Sequence, residues 1–460
     1  MSRSFDAIVI GAGQAGPSLA GRLTAAGMSV ALIERDRLGG TCVNTGCTPT
    51  KAMVASAYVA RAAARAADYG VVLPGPPTTD MARVRDRAAA IASGSRDRLT
   101  DWLAGMTGLT LIRGHARFTS PDTIEVDGEA LSAPKIFLNV GGRANVPPMP
   151  GIDAIDPLTN VSILDLAELP RHLVVVGGSY IGLEFAQIFR RLGARVTVVE
   201  MSPRLIARED EEISELIRAM LVAEGIEVRT NATCIAFAAH PDGASVRVDC
   251  TEGAPEVIGS HVLLAIGRRP NTDDLGLDKA GVAIDARGYV TVDDRLATNV
   301  PGIWALGDCN GRGAFTHTAY NDYEIVAANL LDGADRKVSE RVSAYALYTD
   351  PPLGRVGMTE AQARDTGRPL LVSTRPMAQV ARAIEKGETT GLMKVVADAE
   401  THKILGAAIL GVGGDEAIHG IIDAMHADLA YPVLQWAVPI HPTVSELIPT
   451  LLGGLKPPQT

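Results

Sequence analysis

The chain has 460 residues, 47% of them apolar and 21% charged, with a net charge of −10. That length exceeds one hydrophobic core and calls for two to four domains, while an acidic balance without any basic run excludes a nucleic-acid footprint. No stretch of about 18 apolar residues runs free of charges or loop formers, which excludes a membrane span.

Met1 to Arg3 lead straight into the apolar FDAIVI, leaving no room for a signal peptide and predicting a cytoplasmic protein. Residues 5–34 read as an apolar strand, a Gly-rich turn (Gly11, Gly13, Gly16), an amphipathic helix, and a second strand ending on Glu34. Residues 172–200 repeat the pattern with Gly177, Ser179 and Gly182, ending on Glu200. The distance from first glycine to acid is 23 residues in both copies. This is the dinucleotide-binding fingerprint. Its first glycine makes the turn, its second admits a pyrophosphate, and its third lets helix and strand pack. The helix N-terminus offers N–H groups to phosphates, and the acid accepts from a ribose hydroxyl. Two copies predict two nucleotides. Ser179, in place of the middle glycine, makes the second copy the less regular one.

Between the copies lies GGTCVNTGCTPTKAM, with Cys42 and Cys47. Pro49 fits only a first helical turn, so a helix is predicted from near Cys47 to about Asp68. Cys47 then sits at a positive dipole end with Lys51 one turn on, and both lower a thiol's pKa. Inert cysteines, half a zinc site and a structural disulfide are the competing readings. A zinc site finds no histidine at ligand spacing, and structural disulfides are unusual in the cytoplasm. A redox dithiol beside a nucleotide fits better. Cys234, Cys250 and Cys309 read as structural residues, the first two in strands.

The segments GGTCVNTGCTPTK, GGSYIGLEFA, AIGRRPNT, GIWALGDC and HPTVSE occur in one order along the whole chain. In this the sequence resembles the class I pyridine nucleotide-disulfide oxidoreductases, among them mercuric reductase and dihydrolipoamide dehydrogenase. The resemblance implies an α/β fold with two Rossmann-like domains and a C-terminal α+β dimerisation domain. FAD would be held by residues 1–145 with 270–335, NAD(P)H by 146–269, and the interface by 336–460, with PPMPG and RRPNT as crossings. Residues 414–429 read as an amphipathic helix.

The same resemblance implies FAD on the first fingerprint and on Asp308, with Thr41, Gly267 and Gly307 as further cofactor contacts. It makes Lys51 and Glu184 an ion pair beside the flavin, Cys47 the flavin-side sulfur, and Cys42 the sulfur that meets substrate. His441 and Glu446 become an acid–base dyad reaching the partner subunit of a homodimer. Read from spacing alone, Thr443 to Glu446 is a helix capping box, and Glu446 can serve both ends. Glu200 favours NADH, since a carboxylate repels a 2′-phosphate, and Arg204 leaves NADPH open. Tyr180 either gates the nicotinamide pocket or packs there. The acceptor is expected to be a thiol, disulfide or metal ion, as in mercuric reductase. Against that ion stands the ending GGLKPPQT, which lacks a cysteine pair, and no N-terminal metal-binding domain precedes the fingerprint. Dihydrolipoamide dehydrogenase is the alternative, and a slow redox sensor the alternative outside catalysis.

Overall fold

In a computed structural model, residues 3–249 and 253–458 are described. Ala7–Ile10, the first apolar run, is buried along its whole length. It lies at the centre of a five-stranded parallel sheet ordered Ile303–Ala305, Ile136–Leu138, Ala7–Ile10, Val30–Glu34, Leu109–Arg113. The sheet's core takes in Leu19 and Leu23 of the helix Gly16–Ala25 and Phe118, Ile124 and Leu131 of an antiparallel layer, Ala116–Ser120, Thr123–Val126 and Glu129–Ser132. A sheet so buried has strands that are apolar without alternation. The sheet therefore joins chain segments from both sides of the second fingerprint.

That second fingerprint builds its own parallel sheet, ordered Glu227–Arg229, Arg195–Val199, His172–Val176, His261–Leu264. An antiparallel layer, Thr233–His240, Gly243–Asp249 and Glu256–Gly259, packs beside it. Between the two sheets, Gly142–Ala144 and Arg268–Pro270 run antiparallel to one another. The nearby PPMPG segment docks on the antiparallel layer, where Phe237 N–H donates to Pro150 O at 2.8 Å.

The C-terminal part is a five-stranded antiparallel sheet with helices, ordered Ala344–Leu347, Leu353–Gly357, Ile404–Leu410, Leu392–Asp398, Leu370–Pro376. The helix expected over 414–429 is shorter and divided into Gly414–Ala417 and His419–His426. The chain leaves it at Asp428, whose φ of +55° cannot continue a right-handed helix.

Buried charges fasten the second sheet unit to the C-terminal sheet. Arg355, 1% exposed, pairs with Glu209 and lies 3.5 Å from Asp210. Lys394 meets Glu212 at 2.5 Å and Glu360 at 2.7 Å. Arg191 meets Glu224 at 2.7 Å and Asp350 at 2.5 Å. Removing one partner of a buried pair strands the other charge, at a cost of about 3–5 kcal/mol. Arg355→Met is therefore expected to lower the midpoint of chemical denaturation clearly. An unchanged midpoint would show that Glu209 and Asp210 find other partners.

Candidate active site

Both Gly-rich turns are built alike. Gly11 has φ +102°, and a Cβ there would lie 2.3 Å from Asn139 O. Gly177 has φ +117°, and its Cβ would lie 2.4 Å from Ala265 O. A Cβ on Gly16 would stand 2.1 Å from Gly11 O, and one on Gly182 2.0 Å from Gly177 O. The third glycine thus allows helix and turn to touch, as its spacing predicts. Gly16–Ala25 and Tyr180–Leu192, the helices that follow, carry no acid in their first turns, leaving the positive dipole ends free for phosphate.

The acids at the strand ends have a second duty that the fingerprint does not announce. Glu34 accepts from Ala12 N–H and Asp36 N–H, each at 2.8 Å. Glu200 accepts from Gly178 N–H at 2.6 Å and Ser202 N–H at 2.7 Å. Each carboxylate ties its own turn in place and keeps lone pairs for a ribose. Ser179 is extended, with φ −115°, so its Cβ is unstrained. Arg204 points to Glu211 at 3.8 Å.

Cys42 lies in the short helix Gly40–Thr45, and Cys47 opens the helix Cys47–Ala64. That helix ends four residues earlier than expected, a 3-10 turn Ala66–Tyr69 following it. Hydrogen bonding from the Cys42 thiol lowers the Cys47 pKa to about 6, against burial and with help from the Thr316 hydroxyl and the Lys51 charge. Thr316 Oγ1 stands 3.4 Å from Cys47 Sγ. The Cys42 thiol moves the opposite way, raised by its hydrogen bond to Cys47 and by burial. In the dithiol form, then, Cys47 holds the negative charge and Cys42 the proton.

Lys51 Nζ is 2.7 Å from Glu184, whose side chain is 4% exposed. The other carboxylate oxygen accepts from Tyr348 N–H at 3.0 Å, and the ammonium lies 4.5 Å over the Tyr348 ring. Lowering of the Cys47 pKa makes its thiolate persist above about pH 6 and disappear below it. Ultraviolet thiolate absorbance of the reduced protein should titrate near that pH, and Lys51→Met should move the midpoint upward. A midpoint in the ordinary thiol range for the unaltered protein would contradict the assignment.

Gly307 and Asp308 sit on a turn held by the buried Asp322. Its Oδ2 accepts from Gly307 N–H and from Asn310 Nδ2, both at 2.8 Å, and its other oxygen pairs with Arg341. Burial raises the Asp308 pKa, opposed by Arg268 at 3.6 Å. Arg268 also reaches Thr41 Oγ1 at 3.4 Å. Gly267 has φ +106° and open space where a Cβ would stand.

One cavity of about 1750 Å³ is bounded by Gly11, Gly13, Glu34, Thr41, Cys42, Cys47, Lys51, Ser179, Glu184, Gly267, Gly307 and Asp308. A pocket for one small ligand holds roughly 300–1,000 Å³, so this volume suits two large ones. Its glycine cradles, its open helix ends and the Glu34 carboxylate on its wall fit FAD and a pyridine nucleotide. Gly16, Gly177, Gly182 and Glu200 stand behind the wall as supports of the turns.

His441 and Glu446 pair at 2.8 Å, but away from this cavity. His441 is 75% exposed on an apolar run in which Trp436 is 81% and Val438 96% exposed. Only half of the expected capping box forms. Thr443 Oγ1 accepts from Glu446 N–H at 3.2 Å, while the Glu446 carboxylate turns to His441 and the helix opens later, at Leu447.

Among the other cysteines, Cys309 is buried with its thiol pushed up to about 12 by that burial. Cys234 corrects the expectation of a packed structural residue. It is exposed, with φ +52°, where the strand register slips. Cys250 lies outside the described residues. Among the described residues no cluster of three or more His, Cys, Asp or Glu has the arrangement of a metal site, and no helix is long and apolar enough to cross a membrane. Thr316, Arg268, Asp322 and Tyr348 had no signal in the spacing; each meets the site from a distant segment.

Residues 5–322 match the pyridine nucleotide-disulphide oxidoreductase family, and residues 343–452 match its dimerisation domain. The probable pyridine nucleotide-disulfide oxidoreductase RclA of Escherichia coli is 35% identical, over 98% of this chain and 99% of that one. Mercuric reductase of Bacillus cereus is 33% identical over 96% of this chain and 70% of that one, and dihydrolipoyl dehydrogenase of Thermus scotoductus 34% identical over 96% of each. A solved Cu(II) complex of E. coli RclA, described as an HOCl-induced flavoprotein disulfide reductase, superposes with a TM-score of 0.89, covering 98% of this chain and 99% of that one. Together with the paired Gly-rich turns and the dithiol in one cavity, these matches show that the chain belongs to the pyridine nucleotide-disulphide oxidoreductases, enzymes that use FAD and NAD(P)H.

Proposed function

We propose that the enzyme takes electrons from NAD(P)H, NADH preferred, to a Cys42–Cys47 disulfide and on to the oxidised partner of a thiol/disulfide couple or to a metal-type acceptor, as a cytoplasmic homodimer. The observation that carries this reading is the polarised sulfur pair. Cys47 is stabilised as a thiolate by Cys42, Thr316 and Lys51 in the cavity that both nucleotide turns border. The domain division that goes with it assigns residues 1–145 and 270–335 to FAD, 146–269 to the pyridine nucleotide and 336–460 to the interface.

FAD, which the first Gly-rich turn, Glu34 and Asp308 would hold, would supply two-electron chemistry between the nicotinamide and sulfur. When the disulfide opens, Cys47 keeps its negative charge, and Cys42 takes a proton that its raised pKa retains. Cys42 must lose that proton to attack an acceptor, because the thiolate is the nucleophile. It therefore needs a base. His441 of the second subunit, oriented by Glu446, is suited to that role. The exposed Trp436, Val438 and Ile440 beside it suit burial against a second copy. Glu200 supports NADH, since a carboxylate disfavours a 2′-phosphate.

Relatives on both sides frame the acceptor. The mercuric reductases and the RclA solved with Cu(II) favour a metal ion as acceptor. The dihydrolipoyl dehydrogenases favour a small disulfide. Anaerobic reduction with NADH and with NADPH, followed in the visible spectrum, separates the nucleotides. Adding lipoamide, glutathione disulfide, Hg(II) or Cu(II) to the reduced enzyme separates the acceptors. The expected result is faster reduction by NADH, and a long-wavelength absorption of reduced enzyme that one acceptor class discharges. Bleaching without that absorption would take the dithiol out of the circuit and leave an oxidase or a slow redox sensor.

A further inference from the structure

Tyr180, the first residue of Tyr180–Leu192, adjoins the second Gly-rich turn and borders the cavity. Its hydroxyl is buried and makes no hydrogen bond among the described residues. The ring is held by aromatic edges instead. It stands edge-on to Tyr345 at 5.4 Å and 81°, and to Phe315 at 5.7 Å and 85°. Phe315 and Tyr345 are themselves stacked at 5.8 Å and 10°, and Phe315 stacks on His317 at 5.4 Å. Phe315 directly precedes Thr316, the residue that meets Cys47. The aromatic row thus lies between the nucleotide turn and the dithiol.

Of these rings Tyr345 has the firmest anchor. Its hydroxyl donates to Glu209, the buried acid that also pairs with Arg355. Tyr345 and Arg355 are cross-strand partners in the C-terminal sheet, so one rigid ladder presents both groups to Glu209. An edge-on aromatic pair has a preferred geometry, and a ring without a hydrogen bond takes its orientation from its neighbours. We propose that Tyr345 is a positioning residue that sets Tyr180 over the pyridine-nucleotide half of the cavity, anchored through Glu209 to Arg355. The inference deepens the proposed function, because it rests on reading the second Gly-rich turn as the NAD(P)H site. Its consequence is that a strand of the C-terminal sheet, through Tyr345 at the cavity wall, tunes how that nucleotide is bound.

The test is a double-mutant cycle on the FAD-loaded enzyme, with KM for NADH, KM for the acceptor and equilibrium binding of NAD⁺ as readouts. Tyr345→Ala is expected to raise the KM for NADH and weaken NAD⁺ binding by about tenfold, the scale of losing an edge-on aromatic contact. The acceptor KM should stay within about twofold, and Tyr345→Phe, which keeps the ring but frees it from Glu209, should show a smaller loss of the same kind. The pair Tyr180→Ala/Tyr345→Ala should be no worse than Tyr180→Ala alone. If Tyr345→Ala does not fold, Tyr345→Leu fills the space without an aromatic edge and should show the same split. Additive losses, or equal changes in both KM values, would overturn the positioning role while leaving the proposed function intact. An unaltered enzyme that neither binds NAD⁺ nor shows saturation by NADH would overturn both, and is told apart by that control.

Discussion

Cys42→Ser is expected to lower acceptor turnover through the dithiol by on the order of 10⁴-fold or more, because it removes the attacking nucleophile. The serine hydroxyl can still donate to Cys47, which is the largest influence holding that thiol near a pKa of about 6. Cys47 should therefore remain a thiolate, and electron flow from NADH to an artificial one-electron acceptor should persist. Cys42→Ala removes the donation as well, so the Cys47 pKa should climb toward the ordinary thiol value. Comparing the two variants separates the role of Cys42 as nucleophile from its role as hydrogen-bond donor. Steady-state rates with the acceptor and with the artificial dye are the measurement. Retention of acceptor turnover in Cys42→Ser would mean that electrons leave the enzyme elsewhere.

His441→Ala is expected to cost about 10²–10⁴-fold in the same turnover, the usual range for a general acid–base group. The sharper form of this experiment mixes subunits. In one chain His441 is far out on an exposed apolar run and does not border the dithiol cavity. A two-fold dimer would bring it to the partner's Cys42. A hybrid dimer of Cys42→Ser and His441→Ala subunits then has one complete site and one doubly damaged site. It should recover about half of the unaltered activity, although each parent is nearly inactive. No recovery in a verified hybrid would place the base within the same subunit as the sulfur it serves, against the proposed arrangement.

What the sequence makes legible is local. Gly11 and Gly16, or Gly177 and Gly182, lie within one strand–turn–helix, and the close contacts that demand glycine arise inside it. The Lys51 charge lies one turn from Cys47, so spacing suffices for it. The His441–Glu446 pair is legible only through the family resemblance, because spacing alone reads Thr443 to Glu446 as a capping box. Thr316 meets Cys47 across 269 residues, and Tyr348 N–H meets Glu184 across 164. Such contacts follow from how two sheets and a third unit are stacked, which no spacing encodes. The buried set of Glu209, Arg355 and Lys394 was hidden for the same reason, since charged residues read as surface until their partners are placed. Cys234 shows a different limit. Strand periodicity predicts which residues alternate, but a slip of register between Thr233 and Ala236 decides which face they take.

Electrons from the pyridine nucleotide are expected to arrive on Cys42 and Cys47. Enzyme isolated with its disulfide intact should be reduced anaerobically with a slight excess of NADH, quenched with an alkylating reagent, and its cysteines mapped by mass spectrometry. Cys42 and Cys47 should both become alkylated after NADH and be protected before it, while the buried Cys309 does not change. Complete reduction of the flavin with Cys42 and Cys47 still joined would contradict that electron path.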